Sequence, residues 1–188
     1  MSNLAKELFG DPNRKKGINS RQKGVKNERD LAKKLEEWTG QPFARIPSSG
    51  GLRWKNDTRT VGDLIPEDET FKFPFCIETK FYAKAELDIS KKSRVIGAWD
   101  QASRDAYRAK KIPLLFYRIN GMSKGEYIVY FRDSDISESL LLGIGSEPKY
   151  KALVEDSIGG GFENLVLGML SREFFKLDYK MISIWVSK

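Results

Sequence analysis

Apolar residues recur with helical spacing in two parts of this chain. Leu31, Leu35 and Trp38 follow one another at intervals of four and three, which predicts a helix over residues 25–38 that Gly40 ends. A later stripe with the same kind of spacing predicts a second helix and consists of Val95, Trp99, Ala102, Ala106 and Ala109.

Shorter apolar runs, bounded by turn-forming residues, predict five strands at residues 43–47, 61–65, 73–82, 113–119 and 127–132. The order of elements is then αβββαββ, which places the chain in the α/β class, with a mixed sheet and helices packed on it. Beyond residue 132 the pattern predicts a short helix at 137–142, a flexible break at the glycines 159–161, a helix over 162–175 and a last strand at 181–186.

The length of 188 residues corresponds to about one domain with a core of its own. No apolar run approaches the roughly 18 residues that a membrane span needs, and the first residues lack the apolar core of a secretory signal. We therefore expect an intracellular, cytoplasmic protein without a membrane partner. The single cysteine fits a reducing compartment.

Histidine is absent from the sequence, and this absence restricts the available chemistry. Without histidine and with Cys76 alone, the chain cannot form a zinc finger, a Ser-His-Asp or Cys-His triad, or a nuclease site with an imidazole base. Any catalysis must use carboxylates, lysine, hydroxyls and a hard metal ion. Cys76 and the tryptophans Trp38 and Trp99 are expected in the core.

The net charge of +7 predicts a polyanionic partner. Six of the cations and no acid lie within residues 14–26, namely Arg14, Lys15, Lys16, Arg21, Lys23 and Lys26. Glycine and proline at residues 10–24 indicate a mobile arm. We therefore divide the chain into a flexible basic arm (1–23), a core (24–132) and a C-terminal extension (133–188). The extension carries nine acids against six bases, which favours a dimer or partner surface over a DNA contact.

The third predicted strand carries a charged pair, Glu78 and Lys80, whose two-residue spacing puts both on one face. A carboxylate two residues before a lysine occurs three times in the chain, about as often as chance predicts. Only Glu78 has an acid in a preceding apolar strand, Asp63, which lies 15 residues upstream. A simple ion pair on a solvated sheet face is the alternative interpretation.

Two carboxylates from adjacent strands suit a hard cation such as Mg²⁺. A bound metal can acidify a water and neutralise charge on a phosphodiester, while Lys80 orients or deprotonates that water or stabilises the transition state. Glu28 lies on the core-facing stripe of the first helix and is a candidate third ligand or base. Its alternative role is that of an acid favoured by the helix dipole.

These residues resemble the PD-(D/E)xK nuclease superfamily, and more closely the archaeal-type Holliday-junction resolvases and their phage relatives. Three strings within about residues 21–132 carry the likeness: Lys23-Gly24-x-x-x-Glu28-Arg29, Arg45-x-Pro47-x-Ser49-Gly50 and Ile77-Glu78-Thr79-Lys80. Gly62 replaces the proline of the superfamily's name. The resemblance implies a restriction-endonuclease-like αβββαβ core, here with a C-terminal α+β extension.

The resemblance also implies the roles of the site residues. Asp63 and Glu78, with Glu28, are the expected ligands of Mg²⁺ or Mn²⁺, and Lys80 is the expected catalytic lysine. Ser49 corresponds to a loop serine near the scissile phosphate, although a plain Ser-Ser-Gly-Gly turn explains it equally well. Gln101 corresponds to a glutamine often found near such sites, or is a solvated helix residue.

We therefore expect a Mg²⁺-dependent endonuclease that cuts branched DNA, acts as a homodimer and needs no organic cofactor. One alternative is a nuclease of the same fold that acts on linear, flapped or single-stranded DNA. Another is an inactive DNA-binding accessory protein. The expected phosphate contacts are Arg14, Lys15, Lys16, Arg21, Lys23, Lys26, Arg29, Arg45, Arg53 and Lys55.

Overall fold

The computed structural model describes residues 20–46, 61–89, 93–145, 147–155 and 163–186. Its helices are α1 (Ser20–Thr39), α2 (Arg94–Ala109), α3 (Glu138–Gly143), α4 (Ser171–Phe174) and α5 (Tyr179–Val186). Its strands are β1 (Phe43–Arg45), β2 (Leu64–Pro66), β3 (Phe75–Tyr82), β4 (Ile112–Ile119), β5 (Ile128–Arg132), β6 (Tyr150–Glu155) and β7 (Glu163–Leu170). No helix among the described residues combines the length and the apolar character needed to cross a membrane.

Helix α1 ends where the sequence predicts, since Gly40 adopts a φ of +74° and its N–H donates to the carbonyl of Glu36 at 2.8 Å. The helix begins at Ser20 rather than at residue 25. Residues 20–23 of the predicted flexible arm are therefore helical. Residues 1–19 lie outside the described residues.

The seven strands form one mixed sheet in the order β1-β2-β3-β4-β5-β7-β6. Strands β3 and β4 are parallel, and α2 makes the crossover between them. The other neighbouring pairs are antiparallel. The predicted mixed α/β architecture is confirmed.

Helices cover both faces of this sheet, and each face has its own core. On the α1 face, Leu31 and Leu35 of α1 pack with Ile77 of β3 and with residues of α4 and α5. On the α2 face, Trp99 packs with Leu115 and other residues of β4 and β5. Because side chains alternate along a strand, Phe75 and Ile77 point to the first core whereas Glu78 and Lys80 point to the α2 face.

The C-terminal third differs from its prediction in three elements. Residues 162–175, predicted as a helix, contain β7 followed by α4, and residues 181–186, predicted as a strand, belong to α5. Strand β6 was not predicted. Residues 166–169 of β7 are buried on both faces, and such an apolar run has no alternation that distinguishes a strand from a buried helix.

The predicted C-terminal extension is not a separate layer but completes the sheet and the core. Strand β7 pairs with β5 along residues 128–132, and Trp38 of α1 donates a hydrogen bond from Nε1 to the carbonyl of Leu177 at 2.7 Å. Phe174 and Ile182 belong to the same core as Leu31. Packing therefore crosses residue 132 without a boundary. Trp38, Trp99 and Cys76 lie in or against the core, as predicted.

Candidate active site

Asp63 lies at the point where β2 and β3 come together. The sequence places it inside a strand over 61–65, whereas β2 begins at the next residue, Leu64. Its backbone still joins the sheet, because its N–H donates to the carbonyl of Ile77 at 2.7 Å and its carbonyl accepts from the N–H of Ile46 at 2.9 Å. Since Leu64 is opposite Ile77, Asp63 is brought level with Glu78.

Gly62 makes this close approach possible. It has a φ of +98°, and a Cβ at this position would lie 2.7 Å from the carbonyl oxygen of Ile77 and 3.2 Å from Sγ of Cys76. Proline is held near a φ of about −65° and so cannot adopt this conformation. The backbone conformation in this chain thus requires glycine where the superfamily has its name-giving proline.

Thr79, the middle residue of the Glu-x-Lys motif, holds the carboxylate of Asp63. Its N–H and its Oγ1 each donate to Oδ2 of Asp63, both at 2.7 Å. Both bonds use the same oxygen, so Oδ1 is not engaged by Thr79. Sequence reasoning missed this role, although a hydroxyl between the acid and the lysine was the available signal.

Glu78 is the central buried acid of the site. Its residue is 2% exposed, and Nζ of Lys80 forms an ion pair with its Oε1. Burial raises the pKa of Glu78 to about 7, and the negative charge of Asp63 acts in the same direction. Burial lowers the pKa of Lys80, but the charge of Glu78 and their hydrogen bond outweigh it, so that pKa lies above its ordinary value. Lys80 is therefore charged at neutral pH.

The acid pair has the chemistry of a divalent-cation site. Two like charges beside each other, one of them buried, oppose ionisation, and a hard cation between them would favour it. The described residues contain no group of three or more acidic, histidine or cysteine side chains arranged for a metal. Mg²⁺ is commonly held by one or two carboxylates, with water and substrate oxygens completing the shell, so Asp63 and Glu78 fit that ion.

Glu28 has a different environment from these two acids. It comes from α1, on the opposite face of β3 from Glu78, and forms an ion pair with Arg45 of β1. Arg45 of the edge strand β1 is paired with Leu64, the residue after Asp63, so the ion pair of Glu28 and Arg45 lies on the β1–β2 side of the sheet. Within the described residues no contact joins Glu28 to Asp63 or Glu78, and its role as a ligand stays a prediction.

Helix α2 brings a further acid toward the site. Gln101 is half-buried on α2, and its role near the site stays a prediction. Asp105, one turn later, contributes a negative charge that further raises the pKa of Glu78, and it forms an ion pair with Arg108. Sequence reasoning missed Asp105, because its nearness to Glu78 depends on how α2 crosses β3.

Six of the predicted site residues lie outside the described part of the chain, and their roles stay predictions: Arg14, Lys15, Lys16, Ser49, Arg53 and Lys55. Three of the described basic residues lie together on the exposed side of α1. Lys26, Arg29 and Lys33 are exposed at spacings of three and four, and with Gln22, Val25 and Asp30 they line a groove of about 530 Å³. This groove carries three cations and one acid.

Comparison with known proteins identifies the family of this chain. The sequence model of the family described as "Phage putative PDDEXK endonuclease" matches residues 19–141, which include Asp63, Glu78 and Lys80. Protein D14 of Escherichia phage T5 is 24% identical over 123 residues, covering 63% of this chain and 74% of that protein. No solved structure matches the chain. The match over residues 19–141 shows that the chain belongs to the phage PDDEXK endonuclease family of the PD-(D/E)xK superfamily.

Proposed function

We propose that this chain is a metal-dependent endodeoxyribonuclease that cuts branched DNA, with the Holliday junction as its preferred substrate. The observation that carries the proposal is the cluster of Asp63, buried Glu78 and charged Lys80 where β2 and β3 meet. The preference for junctions rests on the three sequence strings shared with the resolvases. A homodimer belongs to the same proposal.

Asp63 and Glu78 would hold Mg²⁺, with Mn²⁺ as a substitute. When bound, such an ion would supply an acidified water and neutralise charge on the scissile phosphate. Thr79 fixes the orientation of the Asp63 carboxylate through two hydrogen bonds to Oδ2. These bonds also set the direction in which Oδ1 points.

Lys80 stabilises the transition state rather than acting as a general base. Its pKa lies above the ordinary value because Glu78 is beside it, so Nζ keeps its proton at neutral pH. A charged ammonium next to the acid pair is suited to donate to the non-bridging oxygens of the phosphate. Lys80→Met should therefore lower the cleavage rate at every pH from 6 to 9.

The exposed face of α1 contacts DNA phosphates. Lys26, Arg29 and Lys33 stand on one side of this helix, along the groove described above. Neutralising phosphates with these cations releases counterions and makes affinity fall with salt. Arg45, Arg21 and Lys23 are further expected contacts, as are the basic residues outside the described part.

The decisive experiment replaces each acid by its amide, as Asp63→Asn and Glu78→Gln. We expect each variant to lose at least about 100-fold in Mg²⁺-dependent cleavage of a labelled junction while it keeps DNA binding, because the ligand charge is lost and the shape is kept. Glu67→Gln, an exposed acid just after β2, is the matched control and should cut at the parent rate. Full activity in either site variant would refute the assignment.

Substrate preference is tested with a four-way junction, a flapped duplex, a linear duplex and a single strand of matched sequence. We expect the junction to be cut fastest. Equal or faster cutting of the linear duplex supports the alternative nuclease on unbranched DNA. Tight, salt-sensitive binding without cleavage in either Mg²⁺ or Mn²⁺ supports the inactive accessory protein.

A further inference from the structure

Strand β6 lies at the end of the sheet. Within the described residues it pairs only with β7, so its other edge offers backbone N–H and C=O groups without a strand beside it. Such an edge is a template for a further strand.

The side chains of β6 divide between the two faces of the sheet. Tyr150, Ala152 and Val154 pack on the core of the α2 face. Lys151, Leu153 and Glu155 lie on the other face and are exposed. Leu153 is 65% exposed, and its partner on β7, Leu165, is 37% exposed. The pair continues the apolar α1 face beyond the area that the helices cover.

We propose that β6 pairs antiparallel with β6 of a second copy of this chain, centred on Leu153, so that two seven-stranded sheets become one of fourteen. This inference names the surface of the homodimer and rests on that part of the proposed function. It does not depend on nuclease activity. The occupant of the β6 edge is therefore the same strand from another molecule.

The sequence of β6 is complementary to itself about Leu153. Antiparallel pairing centred there puts Leu153 opposite Leu153 of the second copy, and it puts Lys151 opposite Glu155 at both ends. Opposite charges directly across from each other stabilise a strand pair. Including Leu165, four leucines then form one row across the two copies, at steps of roughly 5 Å.

Other registers lose this complementarity. A shift of two residues places Leu153 opposite Lys151 or Glu155 of the second copy instead of opposite leucine. A shift of one residue brings side chains of opposite faces into line. Pairing centred on Leu153 is thus the register in which both charges and both leucines are matched.

The single chain also contains a like-charge contact that this pairing would relieve. Glu155 is directly opposite Glu163 of β7, and like charges in that position destabilise a strand pair. In the dimer, Lys151 of the second copy lies on the other side of Glu155. Each acid pair then gains an adjacent cation.

The charges provide a test that distinguishes this register from other dimers. Lys151→Glu creates acid–acid contacts at both ends of the pairing, and Glu155→Lys creates lysine–lysine contacts. By sedimentation velocity, we expect each single variant of the full chain to dimerise at least tenfold more weakly than the parent. An equimolar mixture of the two should dimerise like the parent, because Glu meets Lys at both ends, and the double variant should do so alone.

A cross-link at the centre gives an independent measurement. Leu153→Cys should be joined to its own copy by a short bis-maleimide, since the two Cα atoms are about 5 Å apart in the proposed dimer. Leu142→Cys on α3, which is equally exposed, is the control and should stay monomeric in the gel. Cys76 is buried and is the single cysteine of the chain, so it does not compete for the reagent.

Three outcomes overturn the proposal: a parent that stays monomeric at the highest soluble concentration, a dimer unaffected by the single charge reversals, or a mixture that does not recover. Restoration by mixing supports it, because no change within one chain produces that result. Dimerisation of the Glu78→Gln variant, for which we expect greatly reduced cleavage, is measured in the same way. Failure of the dimer and failure of the nuclease assignment are therefore separate results.

Discussion

At the scale of single residues, the site depends on the environment of Glu78. It lies within the sheet beside Asp63, its residue is nearly inaccessible to water, and its pKa is raised to about 7. At neutral pH such an acid is about half ionised, and a bound cation would favour its ionised form. The stability of the metal-free protein must therefore depend on pH.

Glu78→Gln should reveal that dependence. The ordinary pKa of this carboxyl is 4.5 and its folded value is about 7, so between these values the folded chain binds more protons than the unfolded chain. The contribution of Glu78 to the free energy of unfolding therefore decreases as pH rises through this range. The variant lacks this titration. Its free energy of unfolding, relative to that of the parent, should therefore rise by roughly 3 kcal/mol between pH 4.5 and 8.

Urea unfolding of both proteins, measured with chelator at several pH values, checks this expectation. Only the change with pH counts, because Glu78→Gln also alters the partner of Lys80 and so adds a constant difference. Glu67→Gln is the exposed control. A difference between parent and Glu78→Gln that stays constant with pH would contradict the raised pKa.

Gly62→Ala tests the backbone that positions Asp63. Alanine at a positive φ costs about 1 kcal/mol, and at residue 62 its Cβ also meets the carbonyl of Ile77. Gly121→Ala is the matched control, since Gly121 has a φ of +93° with open space around it. We expect Gly62→Ala to be at least about 2 kcal/mol less stable than Gly121→Ala by urea unfolding, and to cut DNA more slowly.

Equal stability of the two alanine variants would mean that β3 does not constrain residue 62.

The residues of the site differ in how far they could be predicted from the sequence. Asp63, Glu78 and Lys80 were found because their spacing and residue types are local features. The hydrogen bonds from Thr79 to Asp63 depend on strand register, and the nearness of Asp105 to Glu78 depends on how α2 crosses β3. Sequence spacing alone specifies neither.

At the scale of elements, predictions from the pattern held where one face of an element is buried. Helices α1 and α2 bury one stripe each, and the sequence shows that stripe. Strand β7 and helix α5 are different. β7 is buried on both faces, and α5 is an apolar segment that becomes helical against Trp38 and Phe71, with Asp178 accepting from the N–H of Lys180 at its start.

The basic face of α1 gives a prediction at this scale. Replacing Lys26, Arg29 and Lys33 by glutamine should reduce the slope of log affinity against log salt by about 2.7, at roughly 0.9 for each phosphate contact on duplex DNA. The control triple variant Lys124→Gln, Lys149→Gln and Lys176→Gln removes the same charge from exposed positions elsewhere. Fluorescence anisotropy over a salt series measures both. Equal slopes in the two variants would place DNA on another surface.

At the scale of the whole molecule, the family match and the folded unit have different extents. The match ends at residue 141, yet β7 covers the edge of β5 and residues of α4 and α5 complete the core around Leu31. A fragment of residues 1–141 would expose a strand edge and an apolar face. It lacks the elements that close the fold.

We therefore expect the 1–141 fragment to show no cooperative thermal unfolding by near-ultraviolet circular dichroism, whereas the full chain does. Aggregation during expression is the accompanying outcome, because the β5 edge and the core residues are uncovered. The full-length Phe174→Ala variant is the milder comparison. It should still fold, with a free energy of unfolding lower by about 3–5 kcal/mol. A cooperative, soluble fragment would show that the residues after 141 are dispensable for folding.

The position of β7 between β5 and β6 sets a time order for biosynthesis. A ribosome that adds about 5–20 residues per second needs roughly 2–8 seconds to travel from the end of β5 to the end of β7. During that interval the acids and lysine of the site have emerged, but the strand that closes the sheet has not. The nascent chain thus passes through a stage with an open apolar edge, and chaperone binding at that stage is the expected means of protecting it.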